Sequence, residues 1–474
     1  MYRRYIAPLF LLSTIVVFAR QEVLIPDFTQ TPNEQAVFYQ KKQDTLSTAH
    51  KKQKIALNDE DLLANPLLFS KILDQSVQKG QWSIVEHLIP LYESLAIKDD
   101  NLLLYAKSRL AFVKGRYKDA ISGYRQLLEK DATLGPVRLY LVQALFQNKE
   151  YEAASFQLDK LRATPYLPRQ ILSTINQYTL AIQKKNDFQW SVSLNYIDDD
   201  NINETSSDKY IKLGSWIFER SEESLPKHDR GIGYALWMQK NINLKDNHVL
   251  VSSLSMYGKT YKEYDEYDDF VARASFGYRW EDATKSFILM PFFQKRLFGN
   301  NPYSQSWGTR TSLSYLWSRK FQNSFAVELG KNSYDERTFL DGWYSFGSFG
   351  ASYSFSPSFM LFGGIDQYDN HTKERSESFT RSAIRIGFAK DMPFAFSTKI
   401  SANYANKVYD DAPNIYGIQR HDKEYSYDLS LWKRDWYFWG VMPKINLEYT
   451  HVKSNINIFA FDKNRVYFSF DRRF

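Results

Sequence analysis

The chain has 474 residues, a formal net charge of +7, 16% aromatic residues and no Cys, at a mean hydropathy of −0.48. No disulfide framework or Cys-based metal site is possible, and the missing Cys argues against a lipid anchor on this chain. So much Tyr and Phe at so polar an average is foreign to a soluble core. It is natural to a transmembrane barrel, where alternate strand residues meet lipid and aromatic girdles mark both interfaces.

Arg3 and Arg4, the apolar run Ile6 to Phe18 and the small-residue site Val17-Phe18-Ala19 predict a secretory signal peptide over 1–19. About thirteen apolar residues are too few to span a bilayer comfortably, and no later run is long enough for a transmembrane helix. Residues 20–57, with Pro26 and Pro32 and no sustained period, read as an extended leader. Its Lys41, Lys42, Lys51, Lys52 and Lys54 read as a solvated face, and export makes nucleic acid an unsuitable partner.

Residues 58–185 read as a helical domain. Asn65-Pro66 predicts a helix start, with Leu67, Leu68, Ile72 and Leu73 on one side and an end near Gly80. Tyr117, Ala120, Tyr124 and Leu127 return thirty-four residues later as Tyr151, Ala154, Leu158 and Leu161. That is the tetratricopeptide period. Trp82, Val85 and Ile89 offer a degraded earlier copy, and Gln170 to Lys184 a closing helix. The first helix of each pair lines a concave surface, which places Tyr105, Arg109 and Phe112, then Leu139, Gln143 and Phe146, on it. These residues either hold an extended client segment or pack between repeats and against a neighbouring domain.

At Phe188 the period changes. Phe188, Trp190, Val192, Leu194 and Tyr196 alternate with polar residues, and about fourteen such segments follow through 186–474. Arg273 and Arg279 fall on the opposite face, which must therefore be wet. Long polar links near 198–229, 259–269, 297–306, 331–343, 368–378, 406–420 and 451–461 alternate with short ones. The expected fold is α plus transmembrane β: helical repeats followed by a 14-stranded antiparallel outer-membrane barrel, short turns and helical domain in the periplasm, long loops outside. Closure requires the first strand to meet the last, making Trp190, Val192, Leu194, Phe468 and Phe470 a candidate seam or gate. The terminal Phe474 resembles a barrel-assembly signal.

No nucleophile elbow, P-loop or zinc-protease motif occurs, so neither catalytic residues nor cofactor or metal ligands are assigned. His248 and His451 read as rim residues, and Asp198-Asp199-Asp200-Asn201 as a hydrated loop apex rather than a calcium site. The strand and loop Trp190 to Asn203, the strand Gly231-Ile-Gly-Tyr-Ala235 and the overall architecture resemble the surface lipoprotein assembly modulators. These are the Slam family, outer-membrane translocons of the type XI secretion system. The resemblance implies a client surface lipoprotein or a secreted haem- or metal-scavenging protein. It also implies periplasmic chaperones, outer-membrane lipids and the barrel assembly machinery as partners. An exopolysaccharide-export porin and a passive nutrient porin are the alternatives.

Overall fold

The computed structural model describes residues 59–163, 168–213, 216–436, 438 and 441–473. The expected signal peptide, the leader and Phe474 lie outside them. Helices come first: α1 (Asp59–Ala64), α2 (Pro66–Gln78), α3 (Trp82–Glu93), α4 (Asp100–Val113), α5 (Tyr117–Lys130), α6 (Gly135–Gln147), α7 (Tyr151–Arg162) and α8 (Arg169–Asn186). Asn65 caps α2 by accepting the Leu68 N–H at 3.1 Å, with Pro66 at the first helical position. The face differs from expectation. Phe69, Leu73, Ser76 and Val77 are buried, Ile72 is half-buried, and Leu67 is 80% exposed. Leu67 sits two residues before Phe69, about 200° around the helix, and cannot share its stripe.

The thirty-four-residue repeat has a direct packing meaning. α5 and α7 begin at the two repeated tyrosines, and Ala120 and Ala154 are fully buried where paired helices touch. Tyr124 and Leu127 in one copy, and Leu158 and Leu161 in the other, join the same core. Gly123 brings α5 onto α4, because a Cβ there would meet the Ser108 Oγ at 2.0 Å. Gly80 (φ 68°), Gly115 (φ 77°) and Lys149 (φ 64°) take the left-handed turn after α2, α4 and α6.

β1 (Gln189–Asp199) opens the strand region, and its loop carries a small hairpin, β2 (Tyr210–Leu213) and β3 (Trp216–Glu219). Then follow β4 (Asp229–Asn243), β5 (His248–Tyr261), β6 (Asp269–Glu281), β7 (Lys285–Phe298), β8 (Asn301–Leu316) and β9 (Phe321–Tyr334). The last are β10 (Gly342–Ser356), β11 (Phe359–Thr372), β12 (Phe379–Asp391), β13 (Phe396–Tyr409), β14 (His421–Lys433), β15 (Met442–Ser454) and β16 (Phe461–Arg473). β1 and β4 to β16 make a closed antiparallel barrel of fourteen strands, β1 pairing with both β4 and β16. Closure leaves no open edge, as lipid requires.

Alternation sorts the side chains. Leu194, Phe276, Leu313, Phe349, Ile384 and Phe468 are exposed on the outer face, while Glu328, Asp366, Lys407 and Asp422 are buried inside. The link expected at 297–306 is different. β7 turns into β8 through Gly299 and Asn300 alone, at φ 55° and 62°, and the polar run Asn301 to Ser306 is strand. Two consecutive positive φ values match a tight hairpin turn, and strand alternation accommodates Ser304 and Ser306 as buried inward residues.

Candidate functional site

On the helical domain the structure brings Tyr105, Arg109 and Phe112 together on α4. The Arg109 Cζ lies 3.9 Å from the centre of the Tyr140 ring, 5.6 Å from that of Trp82 and 5.8 Å from that of Phe112. Tyr105 packs on Tyr140 at 6.1 Å, and Tyr124 lies on its other flank at 6.2 Å. Burial pushes the Tyr124 hydroxyl up to about 12, with the Arg109 charge pulling the other way. Leu139, Gln143 and Phe146 are half-buried on α6, where Phe146 makes edge contacts with Tyr151 and Tyr178 at 5.4 and 5.2 Å. Trp82, Tyr124 and Tyr140 were not among the expected groove residues. Tyr140 follows Leu139 directly, but Ala106 precedes it by one period, so the repeat gave it no weight.

The helical domain sits on the short-turn end of the barrel. Lys149 pairs with Glu281 at 2.9 Å and Lys118 with Asp282 at 3.2 Å. Asn247 donates to the Asn148 carbonyl at 2.6 Å and Lys240 to the Asn186 carbonyl at 2.7 Å. Asn148, Asn247 and Asp282 are all buried. Burial would raise Asp282, but the Thr284 and Lys285 backbone N–H groups and Lys118 outweigh it and hold the carboxyl below its usual range. Burial likewise pushes Lys185 down, against the opposing charge of Glu281.

Beyond Lys149 the lumen holds a cavity of about 570 Å³, reaching from Glu281 and Asp282 to Arg310, Ser348 and Arg385. Hydrogen-bonded side chains cross-link the inner wall at and past that level. Arg273 holds Glu328 with two hydrogen bonds of 3.2 and 2.9 Å, Arg310 adds one at 3.3 Å and the Tyr344 hydroxyl donates at 2.9 Å. Arg385 donates to Asp366 at 2.9 Å and Arg381 to Glu424 at 2.9 Å. Toward the long-loop end, Tyr344, Tyr368, Phe379 and Tyr409 form a run of ring contacts, with Lys407 3.8 Å from the Phe379 ring centre. Strand parity alone places each of these charges inside.

At the seam, Leu194 lies opposite Phe470 and Val192 opposite Arg472. Trp190 lies opposite Met238 of β4, and its counterpart position on β16 falls beyond the described residues. Among the described residues this ladder has nine residue pairs, against eleven to fourteen in every other ladder of the barrel. Its long-loop end is tied by Lys463, which meets Asp199 at 3.1 Å and Glu204 at 3.0 Å. Asn464 meets Asp200 through two bonds of 2.8 Å, and Asn201 donates to the Asp462 carbonyl at 3.0 Å. The acidic run read as a hydrated apex is therefore partnered along its length, with Asp199 and Asn201 buried. Asp198 holds His228 at 2.8 Å and Arg230 at 3.0 Å.

Two family profiles match the chain. The surface lipoprotein assembly modifier profile covers residues 188–474, and the profile of that family's N-terminal TPR repeats covers 55–158. Two Haemophilus influenzae proteins, surface lipoprotein assembly modifiers 1 and 2, are each 31% identical, over 91% and 89% of this chain and 90% and 87% of their own lengths. The hemophilin secretion modulator of Acinetobacter baumannii is 24% identical over 93% of this chain and 92% of its own. A closed barrel with an apolar outer face is a structure of the outer membrane. The chain belongs to the surface lipoprotein assembly modifier family.

Proposed function

We propose that the protein is an outer-membrane translocon that delivers a surface lipoprotein, or a related haem-binding client, from periplasm to cell surface. The helical groove receives the client in the periplasm, and the long loops face outward. The observation that carries this reading is the docking of the helical-repeat domain on the short-turn mouth, with Lys149 at once a docking residue and part of the lumen wall. Relatives named for surface lipoprotein assembly and for hemophilin secretion supply the client class.

The seam is the proposed exit. The side-chain network inside the barrel would have to be dismantled to pass a chain, whereas β1 and β16 share the shortest ladder among the described residues. The test is deletion of the gene in its own host, with surface lipoproteins mapped by proteolysis of whole cells. Loss of exposure of at least one lipoprotein that is still made is expected. Unchanged exposure together with loss of a secreted polymer would replace this reading with polysaccharide export.

A further inference from the structure

Arg109 stands apart from four other arginines of the helical domain, of which Arg138 donates to the Gln157 Oε1 at 2.7 Å and the Ala132 carbonyl at 2.6 Å. Arg116, Arg125 and Arg162 each meet a carboxylate, at 3.5, 3.4 and 3.5 Å. Arg109 does not: its Nε and Nη1 are buried without a hydrogen-bond partner among the described residues, and so is the Tyr124 hydroxyl beside it. A guanidinium lying on an aromatic face gains from the ring quadrupole, yet this leaves those N–H donors unsatisfied. Burying such donors without acceptors is unfavourable, and truncating or supplying one partner has a large effect. Tyr105, Phe112 and Tyr140 are half-buried, so the cage meets the surface of the domain.

We propose that the Arg109 cage is a carboxylate receptor, taking an acidic group from the extended client segment that the groove receives. The inference rests on the groove reading above. A polypeptide segment offers carboxylates as its anions, and a carboxylate accepts charge-assisted hydrogen bonds from guanidinium N–H donors. Tyr124 supplies a third donor from the side. Trp82, Phe112 and Tyr140 exclude water, so the pairing is made in a medium where it is strong.

Three labelled, end-blocked hexapeptides test this by anisotropy with the full chain in detergent. The first carries one internal glutamate and the second its glutamine isostere. The third has the glutamine and an unblocked C-terminus. The glutamate probe is expected to bind about tenfold more tightly than its isostere. Arg109→Gln is expected to bring the two within about twofold, and Arg109→Lys to restore part of the difference. A gain for the third probe would identify the terminal carboxylate as a second source of the same group. Equal binding of charged and neutral probes to the unaltered protein would overturn the carboxylate receptor and leave the groove standing. So would a preference that survives Arg109→Gln. Absence of binding by every probe would overturn the groove itself.

Discussion

Lys149 occupies a backbone position that the corresponding turns of α2 and α4 give to Gly80 and Gly115. A side chain at φ 64° costs about 1 kcal/mol, and here it is retained where the amine reaches Glu281. Lys149→Gly is expected to raise the stability of the helical unfolding transition by up to about 1 kcal/mol while loosening the docking. The two effects separate experimentally. Circular dichroism reports the first, and spin labels at Glu152 and Arg319 report the second as a broadened distance distribution, in a chain with no native Cys. At Gly123 the sign is opposite. Gly123→Ala drives a methyl into Ser108 between α4 and α5 and is expected to destabilise the helical repeats by about 1–3 kcal/mol.

Between elements, the ladder of β1 with β16 is the proposed exit. Opposed Cα atoms in an antiparallel pair lie about 4.5–5.5 Å apart, within the range a disulfide spans. Leu194→Cys with Phe470→Cys is therefore expected to lock the seam when oxidised, block client exposure and release it on reduction. Delivery undiminished by the locked seam would assign passage to the lumen. Much of this architecture was legible in the sequence, for a physical reason. A strand period of two and a repeat period of thirty-four are local patterns, so Tyr117/Tyr151 and Phe188 to Tyr196 announced both element types. The turn at Gly299-Asn300 was obscured because Asn301 to Ser306 are polar on a strand whose inner face is polar too. The Arg109 cage was half visible. Arg109 and Tyr105 share a helix, but Trp82, Tyr124 and Tyr140 converge from three others, and no spacing encodes that convergence. The Glu328 network has the same origin, since its members lie up to 55 positions from Glu328 along the chain.

Taken whole, the molecule is two units joined by one covalent link and a few polar ties on the short-turn mouth. Asp282 gives those ties a defined pH dependence. Its pKa is lowered in the folded protein, so its contribution is fully present above the ordinary carboxylate pKa of about 4. The contribution is lost as pH falls through the depressed value. The labels at Glu152 and Arg319 should thus report unchanged docking from neutral pH down to about 5 and a looser arrangement in stronger acid, the shift being reduced in Asp282→Asn, where the Lys149–Glu281 pair remains. The seam has a further consequence, in the order of events during folding. Asn201 meets Asp462 across 261 positions of sequence, whereas neighbouring strands elsewhere are joined by hairpins. Loop-closure entropy makes that the last ladder to form. The interval before it forms is a state in which thirteen hairpin ladders exist and one edge is open. A translocon that parts β1 from β16 need only revisit the final step of its own assembly, with every other strand pair left as folding made it.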